Sequence, residues 1–175
     1  MAKLRKMLGR ADDPQIIQLM RLIETQSKTT LAAWAANCAR DRYLAVYEQA
    51  YPDDRRLREL IEAVCAHLDG RVKLAEIKAL LRQARTIAQQ AEATPAAQAA
   101  ARAIATACAV IQTPTNALGF VFYGAAAAAY DRLGLSASSA EYDAFAGTEF
   151  EALRDSLRAA SVPDEANPVT INWNC

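Results

Sequence analysis

From Ala117 to Tyr130 the chain reads ALGFVFYGAAAAAY, fourteen consecutive residues that are apolar, aromatic or glycine. A helix with no polar face has to be buried, in a domain core or in a bilayer. Fourteen residues fall short of the roughly 20 that span a membrane, so the stretch predicts the buried central helix of a helical domain. Thr113-Pro114 reads as its start, with threonine as cap and proline in the first turn. Gly124 and the alanines allow close approach of neighbouring backbones, while Phe120, Phe122 and Tyr123 supply bulk. Gln112, Thr113, Thr115 and Asn116 stand at the mouth of this helix and need partners wherever they are buried.

The same punctuation recurs along the 175 residues. Asp12-Asp13-Pro14 opens a first helix with the stripe Ile16, Ile17, Met20 and Ile23. Ser27, Thr29 and Thr30 offer caps for a second, carrying Leu31, Trp34, Ala35, Cys38, Ala45 and Val46 at helical spacing. Arg42 falls on that stripe, and the expectation is that it pairs with a carboxylate or reaches solvent along its stem. Tyr51-Pro52 ends this helix, and Asp53-Asp54 caps a third that stops at Asp69-Gly70. A fourth runs over about 74–91, with Lys73, Lys78, Arg82 and Arg85 on its solvated faces. Thr94-Pro95 opens an alanine-rich fifth helix to Ile111, packed closely on the central one. Gly134 ends the central helix, and Ser136–Ser139 leads into a last helix over about 140–160.

The fold class is therefore all-α: a single domain, 1–160, of about seven helices around one buried helix. From Ser161 the chain changes character, with Val169, Ile171 and Trp173 alternating with polar residues. An extended tail, 161–175, lying across the helices with Trp173 as anchor is expected. Charge is balanced overall but uneven. Residues 1–130 hold 17 basic and 12 acidic groups, and residues 131–175 hold 3 and 8. Neither half is basic enough to imply nucleic-acid binding, and no membrane span is expected.

The basic start MAKLRKMLGR has no long apolar run and does not read as a signal peptide. Cys38, Cys65, Cys108 and Cys175 are widely spaced, consistent with free thiols in a reducing cytoplasm. His67 is the sole histidine, too little for a usual zinc site. No phosphate-loop, dinucleotide, zinc-protease or serine-nucleophile signature is present, so no catalytic residue, metal or cofactor is assigned. Two polar constellations remain: Asp53, Asp54, Arg55, Arg56 and Arg58 at a helix start, and Gln112–Asn116. Helix capping and surface pairing account for both in the plainest reading. Neutral amides and hydroxyls orient ligands better than they transfer protons, which favours recognition over catalysis.

Three stretches carry a family resemblance: LAAWAANCA (Leu31–Ala39), YPDDRRLRELIEA (Tyr51–Ala63) and TPTNALG (Thr113–Gly119). Together they resemble the immunity-five-like domain, a helical immunity family of bacterial polymorphic-toxin systems, over about 25–135. Trp34, Ala35 and Cys38 match one element of that pattern. Pro52, Asp53, Asp54, Arg56 and Arg58 match a second, and Pro114, Thr115, Ala117, Leu118 and Gly119 a third. Histidines commonly stand in that pattern where this chain has Gln112 and Asn116, and aspartate where it has Asn37.

The resemblance implies a cytoplasmic protein that binds and neutralises a cognate toxin without catalysis. The acidic last helix, with Asp143, Glu149, Glu151 and Asp155, offers a contact for a basic partner. An alternative is a small-molecule-binding protein or unfamiliar enzyme, with a polar pocket drawn from Trp34, Asn37, Asp53, Asp54, Arg56, Arg58, Gln112 and Asn116. A further alternative is a structural protein that forms homo-oligomers.

Overall fold

The computed structural model describes residues 3–174; Cys175 lies outside the described residues. The helices are α1 (Pro14–Ile23), α2 (Lys28–Cys38), α3 (Leu44–Ala50), α4 (Arg56–Leu68), α5 (Leu74–Gln90), α6 (Pro95–Cys108), α7 (Asn116–Leu133) and α8 (Ser139–Ala160). A π-helical turn, Ala39–Tyr43, joins α2 to α3, so these form one rod. Seven helical rods result, with no strand among the described residues.

Local chemistry sets most of the boundaries. Asp13 accepts from the Gln15 amide ahead of Pro14, and Ser27 accepts from the Thr30 amide. Ser138 and Glu141 form a reciprocal capping box on α8. α4 ends where Gly70, at φ +79°, turns the chain. There the Arg71 amide donates to Ala66 O and the Gly70 amide to His67 O, closing the last turn.

Two expected threonine caps are not made. Thr94 places its hydroxyl 3.3 Å from that of Tyr51, and Thr113 caps nothing. α7 starts at Asn116, two residues after Pro114. Backbone carbonyls do the work there: Thr113 O and Pro114 O accept from the Asn116 and Ala117 amides, carrying the chain out of the single 3-10 turn Ala109–Ile111.

The long apolar stretch is buried as its composition requires, with Ala117, Phe120, Val121 and Ala125–Ala127 fully enclosed. Its neighbour α6 shares the centre. α6 packs on α7 most extensively and also touches α2, α3, α4, α5 and the π turn. The low volume of its alanines lets that many rods approach it. Gly124 serves the same purpose on α7: a Cβ there would sit 2.3 Å from the Tyr43 hydroxyl.

Both ends of the chain are tied to this core. Leu8 is fully buried, its amide donating to Phe122 O of α7, and Tyr130 donates to Arg5 O at 2.5 Å. In the tail, Val169, Ile171 and Trp173 are partly buried while Thr170, Asn172 and Asn174 are exposed, so the alternation is real. The polar anchor is Gln26, 2 % exposed. It exchanges side-chain hydrogen bonds with the Val162 backbone and accepts the Val169 amide on its own carbonyl. Glu165 adds a second anchor by accepting from the Ser27 amide and the Ser27 and Thr30 hydroxyls at the start of α2. Burial opposes ionisation of Glu165, but those hydrogen bonds prevail and hold its carboxyl below its ordinary range.

Candidate functional site

The α3–α4 joint is built from a proline stop and an acidic cap. Tyr51-Pro52 breaks the rod, and Asp54 then takes the Arg56 amide at 3.1 Å on its Oδ1. The same carboxylate receives the Arg56 guanidinium at 2.9 and 2.8 Å and the Tyr47 hydroxyl at 2.6 Å. The Arg56 hydrogen bonds, aided by the Tyr47 hydroxyl, hold the Asp54 carboxyl far below the usual range. Burial, with the carboxylate beside it, pushes the Tyr47 phenol up. Tyr47 and Tyr51 stack at 5.1 Å. One turn on, Arg58 reaches back to Glu48 at 2.9 and 2.6 Å. The motif is thus a rigid knuckle.

Beside the knuckle lies a shallow hollow of about 770 Å³ lined by Ala50–Arg56 and Glu59. Asp53, Arg55 and Glu59 are exposed there and make no ion pair among the described residues. Asp54 and Arg56 are bound to each other, so the free charges of the hollow are these three.

The remaining residues of the sequence-derived pocket lie elsewhere. Trp34 is 3 % exposed; its indole donates to Ser156 Oγ at 2.9 Å and its ring packs on Phe120. Asn37 is exposed on α2. Gln112 is half-buried in the α6–α7 joint. Asn116 approaches Ala109 O at 3.4 Å and lines a different hollow, which shares no lining residue with that at Asp53–Arg56. Asp53, Asp54 and Arg56 come together; Trp34 and Asn116 do not join them.

On α8 the four acids separate by burial. Asp143 is exposed and pairs with Arg5 at 2.7 Å. Glu151 is exposed and accepts from Gln15 at 2.9 Å. Asp155 pairs with Arg154 at 3.1 Å and lies 3.6 Å from Arg158. Glu149 corrects the expectation of a four-residue acidic face. It is 6 % exposed, because it turns inward to accept from Nε and Nη2 of Arg42 at 2.8 and 2.7 Å and from the Tyr43 hydroxyl at 2.9 Å. Arg42 does pair with a carboxylate, the first of the two outcomes expected from its place on an apolar stripe. Burial pushes the Tyr43 phenol well up, and the Glu149 charge adds to it.

Burial also raises the Cys38 thiol to about 12 and the Cys108 thiol further, so neither thiolate forms near neutrality. No three metal-ligating side chains converge among the described residues, and no helix there is long and apolar enough to cross a membrane. Sequence reading passed over one further cluster: Lys6, Arg85 and Arg102 border the Asn116 hollow. From sequence Arg85 reads as a solvated-face residue and Lys6 and Arg102 carry no motif; the three lie on separate segments, so no local spacing marks them as a cluster.

The model of one protein family, described as "Imm-5 like putative immunity protein", matches residues 21–155 of this chain. The match runs beyond the 25–135 of the motif resemblance at both ends and takes in most of α8, which packs against α1, α2 and α7. No curated protein and no solved structure matches the chain.

Proposed function

Because the chain belongs to the Imm-5 like immunity proteins, their model covering residues 21–155, we propose that it binds a cognate toxin in the bacterial cytoplasm and neutralises it by occlusion, one to one and without catalysis. Family membership carries this reading. The contact face we assign is the α3–α4 knuckle. Its support is the arrangement of charge: Asp53, Arg55 and Glu59 are exposed and uncommitted. They stand on a backbone already fixed by the Asp54–Arg56–Tyr47 cluster. A surface ordered before binding loses less conformational entropy on association. The mixed signs suit a partner of mixed charge and fix register. The outward acids of α8, Asp143, Glu151 and Asp155, each already have a local partner, which weakens their field.

The test is capture of a stoichiometric partner from the native organism, followed by co-expression of that partner with and without this chain in a naive host. Rescue of growth by the chain supports immunity; a lethal partner that the chain does not restrain refutes it. The double variant D53R/E59R should abolish rescue while E151K/D155K retains it. The reverse pattern would move the contact to α8.

A further inference from the structure

Away from the knuckle, three cations from three segments converge. Lys6 lies on the N-terminal strap, Arg85 on α5 and Arg102 on α6, and all three line one hollow of about 330 Å³. No carboxylate lines it. None of the three makes an ion pair among the described residues, although the chain as a whole is neutral and nine such pairs form elsewhere. Gln89, Thr106, Asn116 and the half-buried Tyr123 complete its polar lining, and the rest is alanine: Ala88 of α5, Ala105 of α6 and Ala109 of the 3-10 turn. The adjoining hollow, of about 440 Å³, shares Lys6, Gln89 and Arg102 and brings in a single acid, Glu92.

We propose that this hollow binds a small molecule bearing phosphate groups. Like charges gathered around a concave surface repel one another until an anion neutralises them, and low-dielectric walls concentrate the resulting field. A lone carboxylate supplies one charge and two oxygens. A diphosphate supplies two or more charges and enough acceptor oxygens for a lysine and two forked guanidiniums at once. The amide donors of Gln89 and Asn116 suit the same oxygens, and the Tyr123 ring gives an apolar flank for whatever carries them. The volume fits a small ligand rather than a macromolecular surface. Two of the cations stem from α5 and α6, and the third from a strap that Leu8 and Tyr130 fasten to α7, so the backbone that carries them is fixed before any ligand arrives, while the exposed Lys6 and Arg85 side chains close on the ligand. This site is separate from the toxin contact and does not depend on it.

Inorganic pyrophosphate is the probe, titrated into the full chain by calorimetry and by thermal shift, against sodium chloride of matched ionic strength. A saturable heat and a rise in melting temperature beyond the chloride control are expected. R85Q and R102Q should each weaken binding about tenfold, the worth of one charge-assisted hydrogen bond. R82Q, on an exposed position of α5 outside the hollow, should bind as the parent does. Circular dichroism and unliganded melting curves identical to the parent's would show that the variants are folded. No saturable binding, unchanged binding by R85Q/R102Q, or equal loss in R82Q would each overturn the proposal. So would loss of toxin capture in R85Q/R102Q with no pyrophosphate binding by the parent, which would make the hollow a receptor for a toxin carboxylate.

Discussion

Two clusters in this protein use the same three functional groups, a phenol, a guanidinium and a carboxylate, and reach opposite ends. At the knuckle, Tyr47 and Arg56 hold Asp54; inside the bundle, Tyr43 and Arg42 hold Glu149. In the first, arginine and carboxylate are two residues apart, and the Arg56 side chain is 42 % exposed. In the second they are 107 apart, and the carboxylate is 6 % exposed. The local cluster fixes one helix start and leaves its charged neighbours Asp53, Arg55 and Glu59 exposed. The long-range cluster ties the α2–α3 rod to α8 and withdraws its carboxylate and phenol from solvent. The same pairing stiffens a helix start or braces two distant segments depending on what surrounds it.

Breaking the cross-brace should cost most. E149A leaves a buried tyrosine hydroxyl and a half-buried guanidinium without their acceptor. Removing one partner of a buried pair costs about 3–5 kcal/mol; because Arg42 is one-third exposed and can turn to solvent, a loss near the lower bound is expected in urea denaturation. Crowding the same brace should cost less. G124A drives a Cβ into Tyr43, and overpacking of this kind costs about 1–3 kcal/mol. A melting temperature equal to the parent's would show that the ring moves aside freely.

At the knuckle, D54A removes a cap and three side-chain hydrogen bonds, with an expected loss of about 1–2 kcal/mol. Acid titration of D54N against the parent sharpens the contrast. The Asp54 carboxyl is depressed in the folded state, so its stabilisation is complete above the ordinary aspartate value of about 4 and fades as pH falls below it. The parent should therefore lose its advantage over D54N in strong acid, and a constant difference down to pH 2 would contradict the assignment. The smallest effect is expected for D143A. Its pair with Arg5 is exposed on both sides and contributes about 0.2–1 kcal/mol, a difference that added salt should erase.

The two clusters also mark how far the sequence could be read. Asp54 and Arg56 sit in one hexapeptide, and their joint role at a helix start follows from spacing alone. Arg42, by lying on an apolar stripe, called for either an acidic partner or a path to solvent, but nothing local named Glu149, which reads as one more outward acid of α8. The cap on α2 had the same split. Ser27 is legible, while Glu165, which embraces it from the tail, is not. Thr94 and Thr113 show the reverse error, where the right residue type stands before a helix and tertiary geometry assigns it another partner or none.

What the sequence alone determined was the helical class, the seven rods and the burial of α7. These depend on periodicity, caps and breaks within a few residues, where local sterics and backbone hydrogen bonding dominate. Only the tertiary structure decided that α6 shares the centre with α7, that Glu149 faces inward, and that Lys6, Arg85 and Arg102 meet. Those outcomes depend on how rods of particular volumes pack. Side-chain volume and charge acquire their partners only when segments distant in the chain are brought together.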